Sequence, residues 1–288
     1  MISRKRLLPF AIATSFVLLG IWQFEAIAVS INAALTPKST LDERINLIEG
    51  FIDIRLPPNT EEPVPAVLQF HGCAGARTPF QDQWADIAIA NGYAAVIVDS
   101  NRPRGLSRAD ALETVCAGKR LFGQERAGDI LAALEVIKRE PAIDPERLVF
   151  TGWSHGAWAI MDYMTMDFAT HGPAGMAQWQ RERVEPHGLI LFYPYCGPGT
   201  LSRLRRWREE TPTLALIAGA DTVVSAEQCI KFFERKSETA LTVYPGVEHT
   251  FDDPFIEPEW IHWHNPDAFE DAKKQFAGFL IQRGSAGQ

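Results

Sequence analysis

Three side chains of the types that together activate a hydroxyl occur in one order along this chain: Ser154, Asp221 and His249. A serine hydroxyl attacks a carbonyl only when a base takes its proton, and histidine suits that work near neutral pH. A carboxylate behind the imidazole holds the useful tautomer and stabilises the charged form. Ser154 stands between glycines in Gly152-Trp153-Ser154-His155-Gly156, after the apolar trio Leu148-Val149-Phe150 and before an Ala-rich helical stretch. A G-x-S-x-G run at a strand-to-helix turn lifts the hydroxyl above a sheet, and the glycines leave room for neighbouring backbone. A plain tight turn would also need the glycines, so the motif takes its meaning from its partners.

Asp221 follows the apolar run Leu214–Ile217, and His249 follows Leu241–Tyr244. A structural role for Asp221 as cap of the helix expected over Ser225–Phe233 is open, but Ser225 is itself a good cap. Glu248, Asp252 and Asp253 lie too close in sequence to His249 to serve as its acid. His155 adjoins the serine on the helix and points away from its hydroxyl. His171 and His187 bracket an irregular stretch, and His262-x-His264 lacks a third ligand at metal-binding spacing, so no metal is expected. Stabilising an oxyanion needs two backbone N–H groups. One falls to His155, the residue after the serine; the loop Phe70-His71-Gly72-Cys73-Ala74-Gly75 offers the other, at Cys73.

These residues need elements to position them. Ala66–Phe70, Ala94–Val98, Leu148–Phe150, Leu189–Phe192, Leu214–Ile217 and Leu241–Tyr244 are short apolar runs, separated by helical stretches at Gln81–Asn91, Leu121–Lys138 and, last, Pro266–Ile281. In the second of these helices Ile130, Leu131, Leu134 and Ile137 share a face. Such alternation predicts an α/β fold, a mostly parallel sheet with helices on both faces, whose ligands bind beyond the carboxyl ends of the strands. Each of the three candidates falls there. Alternation from Ile45 to Leu56, closed by Pro57-Pro58-Asn59, reads as a hairpin or edge strand. One composition regime spans residues 45–288, giving a single domain after a flexible linker at 29–44; Gly172–His187 is a surface excursion or a small cap.

The chain of 288 residues carries 36 acidic against 28 basic residues, net −8. That balance argues against nucleic acid and anionic membrane surfaces as partners. The one dense basic cluster, Arg203, Arg205, Arg206 and Arg208, runs into Glu209 and Glu210 and reads as a solvated helix face. Arg4, Lys5 and Arg6 precede an uncharged run, Leu7–Phe24, and then Ala26-Ile27-Ala28, so residues 1–28 read as a signal peptide or an uncleaved anchor. Either way the catalytic part is expected outside the cytoplasm, periplasmic or secreted, with membrane contact only through this segment. Cys73, Cys116, Cys196 and Cys229 then sit where disulfides persist; spacing alone leaves three pairings open.

Taken together, the chain resembles the α/β-hydrolase superfamily and, within it, the dienelactone hydrolase family, from about Ile45 to the end. The resemblance rests on H-G-C-A-G at 71–75, V-D-S-N-R-P-R-G at 98–105, G-W-S-H-G at 152–156, G-A-D at 219–221, Y-P-G-V-E-H-T-F at 244–251 and N-P-D-A at 265–268. It implies a Ser/Cys–Asp–His triad, no cofactor, and hydrolysis of a small-molecule ester or lactone through an acyl-enzyme. The founding enzymes use cysteine as nucleophile; serine at 154 moves the expectation toward a general carboxylic-ester hydrolase. Arginines that hold a substrate carboxylate in that family match Arg102 and Arg104, for which a surface role is equally open. Trp153, Trp158, Tyr195, Trp260 and Arg104 are the expected substrate-binding residues. The resemblance also implies the pairings Cys73–Cys116 and Cys196–Cys229. Peptidase or acyltransferase chemistry on the same triad is one alternative. A non-catalytic binding protein is the other, and the intact, ordered triad argues against it.

Overall fold

The computed structural model describes residues 26–177, 179 and 183–285. Seven strands form one sheet in the order β1-β3-β2-β4-β5-β6-β7: β1 Ile52–Arg55, β2 Val64–Phe70, β3 Ala94–Val98, β4 Ile143–Trp153, β5 Gly188–Phe192, β6 Thr213–Ala218 and β7 Thr239–Tyr244. Only β1 runs antiparallel, against β3; the other pairs are parallel. This is the α/β-hydrolase architecture expected from the alternation of apolar runs and helices.

The inner strands read as unbroken apolar runs because both faces of the sheet are covered. Leu68, Phe70, Val98 and Phe150 pack on one face beneath α2 (Leu41–Ile48), α5 (Gly123–Ile137) and α6 (His155–Met164). Val67, Ile97, Val149 and Phe192 pack on the other beneath α3 (Thr78–Ala90) and α9 (Pro266–Ser285). On that second face Trp84 is wholly buried among Trp153, Phe192, Phe269 and Phe276, ring centroids 4.8–5.9 Å away. Register brings the strand ends level: Phe70 lies opposite Val98 and Gly152, Trp153 opposite Phe192, and Ala218 opposite Tyr244. The loops that follow those residues share one rim.

The N-terminal part departs from the expectation of a flexible linker and a hairpin. Residues 26–35 form a helix, α1, whose Val29 is buried and whose Val29 carbonyl accepts from Gln124 Nε2. The alternating stretch from Ile45 begins inside α2, and only Ile52–Arg55 is strand. The reason lies at Thr40 and Glu43: each side chain accepts from the other's backbone N–H, a capping box that starts the helix. Ile45 and Ile48 then reach the core from one face at helical spacing. The apolar run Leu7–Phe24 lies outside the described residues; among those described, no helix is long and apolar enough to cross a membrane. Both disulfides pair as the resemblance implied, Cys73–Cys116 and Cys196–Cys229, with no cysteine left free.

α2 is tied to the rim through a buried charge cluster. Asp129 on α5 accepts from Arg44 Nη1 at 2.9 Å and from Arg104 Nη1 and Nη2 at 3.0 and 2.8 Å. Burial works to raise the Asp129 carboxyl, but Arg104 and Arg44 beside it win and hold it well below the usual carboxylate range. Arg104 is therefore a tie within the structure in place of the substrate contact expected for it. Removing the carboxylate would leave two guanidinium groups without their partner. Asp129→Asn is expected to lower the unfolding free energy by about 3–5 kcal/mol, read by urea denaturation at neutral pH. With a depressed native pKa, this stability is present above the ordinary carboxyl range and lost as pH falls below about 4. The variant should accordingly show a shallower acid arm in its unfolding free energy.

Candidate active site

Ser154 sits at the turn from β4 into α6 with φ 50° and ψ −109°, a strained conformation for a residue with a side chain. Its amide donates to Phe192 O on β5 at 2.9 Å, and its carbonyl accepts from Trp158 N at 3.0 Å. Both flanking glycines are required by contact. A Cβ on Gly152 would lie 2.6 Å from Ala157 N, and one on Gly156 would lie 2.0 Å from Phe70 O. α6 thus begins against the end of β2, which places its first amide beside the loop that follows Phe70.

His249 Nε2 lies 3.0 Å from Ser154 Oγ, and Nδ1 lies 2.6 Å from Asp221 Oδ2. Since the carboxylate accepts from Nδ1–H, Nε2 carries the lone pair and accepts from the serine hydroxyl. Asp221 Oδ1 accepts from Val223 N and Val224 N, both at 2.8 Å, which fixes the carboxylate. Ser225 caps α8 (Ala226–Phe233) through Gln228 N, so Asp221 is free of the helix-capping role. All three side chains are buried or nearly so.

Two lobes of a cleft meet at Ser154, and Cys73, Cys116 and Val223 line both. The first, of about 220 Å3, is walled by Phe80, Trp153, Tyr193, Ile256, Trp260 and Trp263. The second, of about 620 Å3, is walled by Val115, Phe122, Trp158, Tyr195 and Pro198, with Ala28 and Asn32 of α1 at its edge. Of the expected substrate-binding residues, Trp153 and Trp260 line the first lobe and Trp158 and Tyr195 the second; Arg104 lines neither. Arg102 is exposed, its guanidinium over the Phe51 ring. Cys73 and His155, the residues named for the oxyanion, line the second lobe together with the serine. His264 Nδ1 lies 3.0 Å from Phe251 O, and among the described residues no group of three His, Cys, Asp or Glu is arranged to hold a metal.

Several residues of the site were not singled out in the sequence. Tyr193, at φ 33° just after β5, lays its ring 4.5 Å from the His249 ring and donates to Asp252 Oδ1 at 2.7 Å. Trp153 Nε1 donates to Asp252 Oδ2 at 2.9 Å, so one buried carboxyl holds both the imidazole's neighbour and the floor of the first lobe. Burial pushes that carboxyl up to about 7. Arg77 and Arg108 line the first lobe but are paired, Arg77 with Asp253 and Glu257, Arg108 with Glu257. Arg126 on α5 is wholly buried behind the serine and contacts His155. It falls four residues before Ile130, a cation on the apolar face of its helix, which is the signal that marks it in the sequence.

The model of the Dienelactone hydrolase family matches residues 52–283. Among curated proteins, the chain is 35% identical over 102 residues to a protein of Bacillus subtilis (strain 168) described as uncharacterized peptidase YuxL; the match covers 34% of this chain and 15% of that one. Among solved structures, the dienelactone hydrolase-like promiscuous phosphotriesterase P91 from metagenomic libraries superposes with TM-score 0.61 at 16% identity, over 80% of this chain and 91% of its own. The thermophilic esterase Est2 of Thermogutta terrifontis, with propionate bound, gives 0.57 at 17% over 81% and 89%. Est1E of Butyrivibrio proteoclasticus, solved with ferulic acid, gives 0.55 at 14% over 81% and 95%. A family match that runs from the first strand of the sheet into its last helix decides the assignment: the chain belongs to the Dienelactone hydrolase family and has the α/β-hydrolase fold.

Proposed function

We propose that the protein is an exported serine hydrolase of neutral carboxylic esters, acting through Ser154, His249 and Asp221 and an acyl-enzyme. The observation that carries this reading is the unbroken chain Ser154 Oγ–His249–Asp221 at 3.0 and 2.6 Å, set where two lobes of one cleft meet. Ser154 Oγ attacks the ester carbonyl carbon while His249 Nε2 takes the hydroxyl proton. Asp221 keeps the imidazole in register and stabilises the imidazolium. The amides of Cys73 and His155 bind the oxyanion, and its collapse expels the alcohol, which takes the proton from His249. Water, deprotonated by His249, then attacks the acyl carbon and frees Ser154.

The two lobes suit the two halves of an ester on opposite sides of the reacting carbon. Their walls are aromatic and aliphatic, and the two arginines lining the first lobe are already neutralised by Asp253 and Glu257. The lining therefore favours uncharged, bulky groups over a substrate carboxylate, which is where this chain parts from lactones bearing an acid. Among structural relatives, Est1E is described with ferulic acid bound and Est2 with propionate, each of which is the acid half of an ester. Two disulfides, one of them lining the cleft, support a place outside the reducing cytoplasm.

Ser154→Ala is expected to lower kcat/KM for p-nitrophenyl butyrate by about 10^4-fold or more with unchanged thermal unfolding. Near-normal turnover in that variant would end the reading, and so would a wild-type protein that a fluorophosphonate fails to label at Ser154. On the wild type, aryl-substituted acyl esters should surpass acetate in kcat/KM, and an ester bearing a free carboxylate should be the poorest substrate. Trp260→Ala, which shortens a wall of the first lobe, should raise KM for the aryl ester several-fold and leave acetate nearly unchanged.

A further inference from the structure

Behind the two candidate oxyanion amides lies a buried polar assembly that the hydrolytic scheme does not use. His71, wholly enclosed, accepts from Ser100 N at its Nε2 at 2.9 Å. Nε2 therefore holds the lone pair and the ring proton is on Nδ1, which donates to Gly72 O at 2.6 Å. Burial first, then the neighbouring Arg126, pushes the imidazole well below its ordinary range, which keeps it neutral. The amide of Gly75 shares the same carbonyl at 3.3 Å. A trans peptide points its C=O and the next N–H in opposite directions. Since the Gly72 carbonyl is drawn toward an interior ring, the Cys73 N–H is turned away from the interior, to the side on which Cys73 lines the cleft.

Arg126 braces the preceding peptide, His71–Gly72, of the same loop from beneath. Its Nη1 donates to His71 O at 2.6 Å and to His155 Nδ1 at 3.1 Å, and its Nε donates to Ser100 Oγ at 3.0 Å. The guanidinium, lowered to about 10 by burial, remains charged at neutral pH. One side chain thus joins the loop after β2, the loop after β3 and the first residue of α6. The two candidate donors, Cys73 and His155, come from the first and the third of these segments, so some group must fix their distance.

We propose that His71 and Arg126 are positioning residues for the oxyanion: His71 sets the rotation of the peptide bearing the Cys73 donor, and Arg126, through His71 O, ties the loop that carries this peptide to the residue of the second donor, His155. This rests on the serine-hydrolase reading above. Donors displaced by an ångström lose their grip on the transition state while ground-state binding in the lobes is untouched.

The test uses Arg126→Met, Arg126→Lys and Ser100→Ala in the full chain. Each is assayed with p-nitrophenyl butyrate, with an aryl trifluoromethyl ketone, which adds Ser154 Oγ and carries an oxyanion, and by thermal unfolding. In Arg126→Met, kcat should fall on the order of ten- to a hundredfold with KM unchanged. Inhibition by the ketone should weaken by the same factor, and Arg126→Lys should recover part of both losses. Ser100→Ala, which removes the acceptor of Arg126 Nε and a hydrogen bond to Asp129, should show a smaller loss in the same two readouts and decides the matter if Arg126→Met does not fold. Folded variants with wild-type kcat and ketone inhibition would overturn the proposal, as would a loss of kcat that leaves ketone inhibition unchanged. Activity surviving in Ser154→Ala would instead overturn the serine mechanism, so the two failures are distinguishable.

Discussion

The contact between Gly156 and the end of β2 is the constraint on which the rest of the structure turns. With only a hydrogen on that α-carbon, α6 starts within van der Waals reach of Phe70 O; any side chain would collide with it. This approach sets the candidate nucleophile, the amide after it and the loop His71–Gly75 in one small volume. It also forces Ser154 to a positive φ, because the chain must leave β4 and enter α6 within one residue. The sheet register then completes the arrangement, since β6 and β7 run two residues past the ends of β4 and β5 and deliver Asp221 and His249 to the same rim.

Rigid presentation of that rim is the work of buried polar groups and less of apolar packing. The Arg44–Asp129–Arg104 cluster anchors α2 and the loop after β3 to α5. Asp252 gathers Tyr193 and Trp153 from two different strands beneath the imidazole. Each such group costs desolvation, and each is offset by several hydrogen bonds of good length. Apolar layers alone would hold the helices on the sheet, yet they are non-directional and would leave the rotation of a loop peptide unset.

Much of this was legible in the sequence, for a physical reason. Period and composition show a covered parallel sheet, and strand ends mark where its side chains can do chemistry, so Ser154, Asp221 and His249 stand out from their positions alone. Aromatic residues near those ends, such as Trp153 and Tyr195, read as lining for the same reason. Arg104 misled because proximity to a strand end does not tell whether a side chain turns toward the cleft or toward the interior; Asp129, far along the chain, decides it. Ile45–Leu56 misled because period-two alternation and a short helix overlap over a few residues, and the Thr40–Glu43 capping box outweighed it. Tyr193, Asp252 and Arg126 owe their roles to partners distant in sequence, though a cation on the apolar face of α5 was a visible anomaly.

The backbone irregularities at the ends of the strands give the molecule a polarity. Ser154, Tyr193 and Thr250 all hold a positive φ, and all lie on the cleft side of the sheet. Strain of this kind costs on the order of 1–3 kcal/mol per residue, and most of it lies at one rim. At the opposite rim, where Glu140–Ala142 and Lys236–Glu238 connect helices to strands, the described non-glycine residue with a positive φ is Asn59, exposed in the loop between β1 and β2 and of a type that tolerates this region. Backbone strain in this fold is therefore concentrated on the side where the cleft opens. The cleft rim is the part that resists simplification, and the far rim is where a surface attachment, a loop graft or a stabilising substitution would meet the least opposition.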